Sequence, residues 1–391
     1  MSEALRPVLT LHDGPEGVVG VWMPFDFEAF AAAADATRRA LVRRVPAAFT
    51  RDEWAYLLAS LSRERLMTQR AAVFGPTLTA KAPPRRLARP RGTVAIWLPA
   101  NVSLLGPLAV LATLASGNHV RTKGSARATD LVGAFLTALR EASAPLVPWL
   151  DRVEHAVFDR DDPRNAGLAA DADVRIVFGS DDAARAVHAL PAPLGSVAYS
   201  FVDRRSEAWI EAGCESDATL RSLVEVFAIY GQAGCTSPSR VLHVGADLDA
   251  TRALRDRLVA LWPSTVHGRQ PMHVASDNTR LAQWAAVQGW DAVRVPSGEA
   301  VVACGEASLP RLDRGMVLWL SPATPDEAFA GLPSNIQTIG HALRDPAAWL
   351  EGLGTTAVRR WVPLRSMHHF GWAWDGEEYW RGLFRWTECA A

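Results

Sequence analysis

From residue 93 onward, short apolar runs alternate with amphipathic stretches, and this alternation constrains the fold more than any other feature. Residues 93–98, TVAIWL, read as a buried strand that Pro99-Ala100-Asn101 ends. Residues 104–115 read as a helix closed by Ser116-Gly117-Asn118. A short strand over 119–122 leads into Lys123-Gly124-Ser125 and a second helix over 128–141. Further on, 174–178 is a strand, Gly179-Ser180 a turn, and 181–189 a helix with Asp181 and Asp182 as its expected caps. Strands joined by helices in this order build a parallel, doubly wound sheet that receives ligands at the carboxyl ends of its strands.

A second series follows. Helices are expected over 219–227, 248–261 and 278–288, and strands over 240–245, 292–295, 301–303 and 315–320. The predicted fold class is therefore α/β with two doubly wound domains, residues 91–205 and residues 206–360. Residues 1–90 read as mostly helical, with helices over 27–41 and 51–68, the second capped by Thr50 or Asp52. The Arg- and Pro-rich stretch 81–92 reads as a solvated connector. Residues 361–391 carry five of the 15 Trp with little helical period. They are expected to pack back on the first domain, or on a second copy in a homo-oligomer.

Composition excludes several classes. Lys+Arg 41 against Asp+Glu 42 leaves a net charge of -1, so bulk electrostatics favour neither nucleic acid nor a membrane surface. No apolar run is long enough for a membrane span, and the opening residues carry no basic segment ahead of an apolar core. The 4 Cys include no CxxC pair, so free thiols in a reduced, cytoplasmic protein are expected, with no metal site.

The chemistry centres on Cys235, in Gly231-Gln232-Ala233-Gly234-Cys235-Thr236-Ser237. Small neighbours let backbone N–H groups approach whatever binds the sulfur, and a thiolate so stabilised is a nucleophile. The same pattern also suits a small residue buried in a tight turn. Asn101 follows a strand, where a side-chain amide projects into a cleft. Lys123 can meet a ribose or phosphate, and the helix amides behind Gly179-Ser180 suit a diphosphate, although Asp181 and Asp182 would compete with it. His368 and His369 are adjacent, without a carboxylate or thiol at ligand spacing, which argues against zinc.

The order of these motifs resembles the aldehyde dehydrogenase superfamily and, within it, the LuxC-type fatty acyl-CoA reductase family. The resemblance runs over residues 90–386. It rests on Gly231 to Ser237, on Asn335-Ile336-Gln337-Thr338, and on the tail with His368-His369 and Trp374-Asp375-Gly376. It implies an aldehyde dehydrogenase-like fold and an acyl-CoA or acyl-carrier-protein thioester as substrate, reduced to an aldehyde. Cys235 would carry the acyl group, and Asn101 with the Cys235 N–H would form the oxyanion hole. Lys123, Ser125, Gly179 and Ser180 would bind the cofactor. Where the superfamily often has a glutamate after the motif lysine, this chain has Ala126, which leaves room for a 2′-phosphate and points to NADPH. Oxidising members place a glutamate base roughly thirty residues before the cysteine. Here that stretch is VAYSFVDRR, with Asp203 its only carboxylate, while Glu207 and Glu211 read as a solvated helix face. Two rival readings remain open: a cofactor-independent cysteine acyltransferase or thioesterase, and a non-catalytic binding subunit.

Overall fold

The computed structural model of the protein describes residues 5–79, 82–100, 102, 104–142, 144–202, 204–228, 234–266, 272–306, 316–374, 376 and 378–389. The chain divides into two compact units, Met1–Val202 with Phe370–Ala391, and Asp203–His369.

In the first unit, strands β1 (Val8–Gly14) and β2 (Gly17–Met23) form an antiparallel hairpin. Gly17 turns it at a φ of 105°, a backbone region that side chains resist. β3 (Arg86–Pro90) pairs parallel with β2 and antiparallel with the strand Phe384–Glu388, completing a four-stranded sheet. The expectation of a mostly helical amino-terminal region is thus corrected. GVVGVWM in β2 buries Val19, Val21 and Met23 on one face, which is strand periodicity. The stretch expected as one helix over 51–68 is two helices, Arg51–Ser60 and Arg63–Phe74. Ser62 breaks it by capping the second with its side chain, while Thr50 caps the first in a capping box with Glu53.

The five-stranded sheet contains β4 (Thr93–Trp97), β5 (His119–Ser125), β6 (Val153–Phe158), β7 (Val174–Phe178) and β8 (Val197–Phe201). All its pairings are parallel, in the order β6-β5-β4-β7-β8. Strand order reverses at β4 and β7, so the crevice of a doubly wound sheet lies at their carboxyl ends. β4 buries both faces: Val94 and Ile96 join one apolar cluster, Ala95 and Trp97 another. Trp372, Trp374 and Trp380 of the tail are buried in the first of these clusters. Trp372 and Trp380 stack at 3.9 Å, and Trp380 donates to the Ala112 carbonyl at 2.8 Å. Burial of each such side chain stabilises the unit by about 1.5–3 kcal/mol.

The second unit holds a seven-stranded sheet of β9 (Arg205–Glu211), β10 (Pro238–Val244), β11 (Asp291–Arg294), β12 (Val301–Cys304), β13 (Val317–Ala323), β14 (Ile336–Ala342) and β15 (Arg360–Pro363). Its order is β11-β12-β13-β10-β9-β14-β15, parallel except for β11 against β12. Alternate residues of β9 serve opposite faces: Ala208 and Ile210 pack with Phe227 and Trp262, and Trp209 packs with Ile336 and Trp361. The expectation that Glu207 and Glu211 sit on a solvated helix face is therefore corrected. Both lie on β9, and Glu207 is only 2% exposed.

Candidate functional site

Cys235 sits at the head of β10, half-buried, on the stretch that follows the helix Asp217–Ala228. Its turn closes with the Ser237 N–H donating to the Gly234 carbonyl at 3.0 Å. Pro238 then opens the strand at a position where a missing N–H is tolerated. The Cys235 carbonyl accepts from Ser206 Oγ of the adjacent β9 at 2.7 Å. On the other side, Thr236 Oγ1 lies 2.6 Å from His368 Nδ1, and His368 Nε2 lies 2.6 Å from the Val226 carbonyl. Burial lowers the His368 pKa to about 4, which leaves the ring neutral at pH 7. Cys235 precedes the amino end of β10, the opposite edge of the sheet from the carboxyl ends of its strands.

Two buried polar groups flank that edge. Ser237 Oγ and Gln337 Oε1 make no hydrogen bond among the described residues. Each residue precedes one that is paired with Ser206: Pro238 on β10 and Thr338 on β14. Glu207, next along β9, has both carboxylate oxygens engaged. Oε1 pairs with Arg240 at 2.8 Å and Oε2 accepts from Trp209 Nε1 at 3.2 Å. Burial pushes the Glu207 pKa up, while Arg240 and the Trp209 N–H pull it down.

In the first unit, β5 runs three residues further than expected and carries Lys123 and Ser125 to the carboxyl end of the sheet. Lys123 is only 8% exposed, and no carboxylate among the described residues forms an ion pair with it. Its Nζ lies 5.7 Å from the centre of the Phe158 ring, and burial lowers its pKa. Ser125 and Gly124 line an open pocket with Leu98, Pro99, Asp130 and His155. At the end of β7 the Gly179 N–H donates to the Phe201 carbonyl at 3.1 Å. Ser180 Oγ caps the helix Asp181–His188 by accepting from the Ala183 N–H at 3.2 Å, so the expected caps Asp181 and Asp182 lie instead in its first turn.

Asn101, Asp203 and residues 231–233 lie outside the described residues. Among the described residues, no three His, Cys, Asp or Glu side chains come together as a metal site, and no helix is long and apolar enough to cross a membrane. Sequence reasoning missed Ser206 and the contacts of His368. Neither is near Cys235 in the chain, and only strand pairing and a tail turn bring them there.

A family model described as acyl-CoA reductase (LuxC) matches residues 56–277. No curated protein sequence matches the chain. Among solved structures, aldehyde dehydrogenase 21 from Physcomitrella patens, in complex with the reaction product succinate, is 14% identical with a TM-score of 0.70 over 92% of this chain and 84% of that one. An NAD-dependent aldehyde dehydrogenase from Sinorhizobium meliloti is 15% identical, TM-score 0.66, over 93% and 82%. A 1-pyrroline-5-carboxylate dehydrogenase from Thermus with bound NAD is 15% identical, TM-score 0.63, over 93% and 80%. These likenesses establish an aldehyde dehydrogenase fold.

Proposed function

We propose that this chain, which belongs to the acyl-CoA reductase (LuxC) family, reduces an acyl thioester to an aldehyde through a covalent thioester on Cys235. The observation that carries the reading is the placement of Cys235. Its thiol-bearing residue is half-buried at a strand head, and side chains from β9 and from the tail turn hold the backbone around it. The Cys235 thiolate attacks the acyl carbonyl carbon, and the charge on the oxygen is met by the Cys235 N–H and, as the resemblance implies, Asn101. The carbonyl re-forms as the coenzyme A or carrier-protein thiol leaves, and the acyl group remains on the sulfur.

A nicotinamide cofactor, when bound, supplies hydride. The donor set of the first unit fits its anionic groups: Lys123 is buried, with no ion pair among the described residues, on the same strand as Ser125 at the carboxyl end of a doubly wound sheet. Residues 91–205 are accordingly assigned to the dinucleotide and residues 206–360 to the cysteine chemistry. Gly179 and Ser180 contribute at the β7 end, although Asp181 and Asp182 make that helix start a poor site for a diphosphate. Ala126 in place of a glutamate favours NADPH. Glu207 is tied to Arg240 and Trp209, so it is not available to activate water against the acyl-enzyme.

The test is a reaction with acyl-CoA and NADPH. One aldehyde per NADPH oxidised is expected, with acyl label on Cys235 when NADPH is omitted. Loss of label and turnover in Cys235→Ala completes the case, whereas full turnover in that variant would refute it. Acyl transfer or hydrolysis without NADPH oxidation would instead support a cysteine acyltransferase or thioesterase.

A further inference from the structure

We infer that His368 is a positioning residue for Cys235: its imidazole bridges the residues that flank the nucleophile's turn, one ring nitrogen to each side. The inference rests on the reading of Cys235 as the nucleophile. A carbonyl oxygen only accepts, so the nitrogen 2.6 Å from the Val226 carbonyl, Nε2, carries the proton. Nδ1 then offers a lone pair, and the Thr236 hydroxyl donates to it at 2.6 Å. The ring thus ties the last turn of the helix Asp217–Ala228 to the residue after Cys235. Ser206 holds the Cys235 carbonyl from β9. The nucleophile's backbone is therefore held from two sides.

The His368 turn is itself anchored. Arg360 Nη1 donates to the Met367 carbonyl at 2.9 Å and to Thr338 Oγ1 at 3.3 Å, and Nη2 donates to the His369 carbonyl at 3.3 Å. Gly340 admits the turn against β14, since a Cβ there would lie 2.2 Å from Met367 Sδ. Thr338 pairs with Ser206, so both holds on the cysteine turn trace back to one point in the sheet. A reacting group displaced by an ångström loses about a hundredfold in rate, which is what such a brace prevents.

The test compares Thr236→Val and His368→Asn with Thr236→Ser in the full chain. Acetyl-CoA and palmitoyl-CoA serve as acylation probes, and iodoacetamide as a substrate-independent probe of Cys235. Thr236→Val keeps side-chain volume but removes the donated proton. His368→Asn keeps an acceptor for Thr236 but loses the reach to Val226. Acylation of Cys235 should slow about tenfold or more in Thr236→Val, with NADPH affinity unchanged within about twofold, and Thr236→Ser should recover most of the rate. His368→Asn should fall between. Wild-type acylation and alkylation rates in both folded variants would overturn the inference and leave Cys235 as nucleophile untouched. Failure of both variants to fold would also overturn it, because the contact would then be a folding requirement. If the wild-type chain takes no acyl label, the proposed reaction fails separately, and the alkylation rates still decide the role of His368.

Discussion

Glu207 and Arg240 face each other directly across the parallel strands β9 and β10, and their side chains meet at 2.8 Å, Glu207 buried and Arg240 partly so. Two charges taken out of water in this way depend on each other. Arg240→Met should leave an unpaired buried carboxyl group and destabilise the protein by about 3–5 kcal/mol. The double variant Glu207→Gln/Arg240→Met should regain a large part of that loss. Urea unfolding midpoints provide the measure, and a single variant as stable as wild type would contradict the pairing.

Stability should fall with acid through His368. Its folded pKa is about 4, below the ordinary 6.5, because burial, then Arg360 and His369, oppose protonation more than the Val226 carbonyl favours it. The unfolded chain therefore takes up a proton near pH 6.5 that the folded chain refuses until about pH 4. The contribution is fully present above pH 6.5, declines between these values and is constant below, with a span of about 3 kcal/mol. His12, also lowered to about 4 by burial and Arg70, acts in the same direction. Denaturant unfolding from pH 7.5 to 5 should show a shallower slope for His368→Asn than for wild type; equal slopes would count against it.

Cofactor choice should follow residue 126. Wild type should prefer NADPH in kcat/KM, and Ala126→Glu should move the preference toward NADH by about tenfold, since a carboxylate repels the 2′-phosphate and accepts from a 2′-hydroxyl. Lys123→Ala should weaken binding of both cofactors, because this buried ammonium, with no ion pair among the described residues, is the cation nearest Ser125 along β5. Fluorescence titration separates binding from turnover, and a wild type more efficient with NADH would reverse the assignment.

The acyl-enzyme should be long-lived in water. Glu207 is engaged by Arg240 and Trp209, and the stretch before Arg205 offers no glutamate. Acyl label on Cys235 should therefore persist without NADPH, with little carboxylic acid released. Glu207→Gln should leave that lifetime within about twofold of wild type. Rapid acid release that disappears in Asp203→Asn would show a hydrolytic enzyme instead.

The alternation of strands and helices was legible because each strand of a parallel sheet is a short, self-announcing apolar run. β4 and β7 were found within a residue of their ends for this reason, and Cys235 stood out by its small neighbours alone. Local chemistry likewise marked Thr50 as a helix cap, whereas only the backbone showed that Ser62 interrupts the expected run of 51–68 and caps a second helix. The amino-terminal hairpin was missed because β2 is rich in small apolar residues whose strand period extends over only seven positions.

What sequence could not carry is anything set by residues distant in the chain. Glu207 was misread as solvated because its partner Arg240 reaches it only when β9 and β10 pair. His368 looked like one of two adjacent histidines without ligands; the tail turn and Arg360 bring it to Thr236, 132 positions earlier. The sequence by itself determined the fold class and the family and singled out Cys235 as the proposed nucleophile, since these rest on local periodicity and short motifs. Only the tertiary structure decided which side chains brace the cysteine and which carboxylate is neutralised. Burial and hydrogen-bond partners depend on strand order, and strand order is not written in any single stretch of residues.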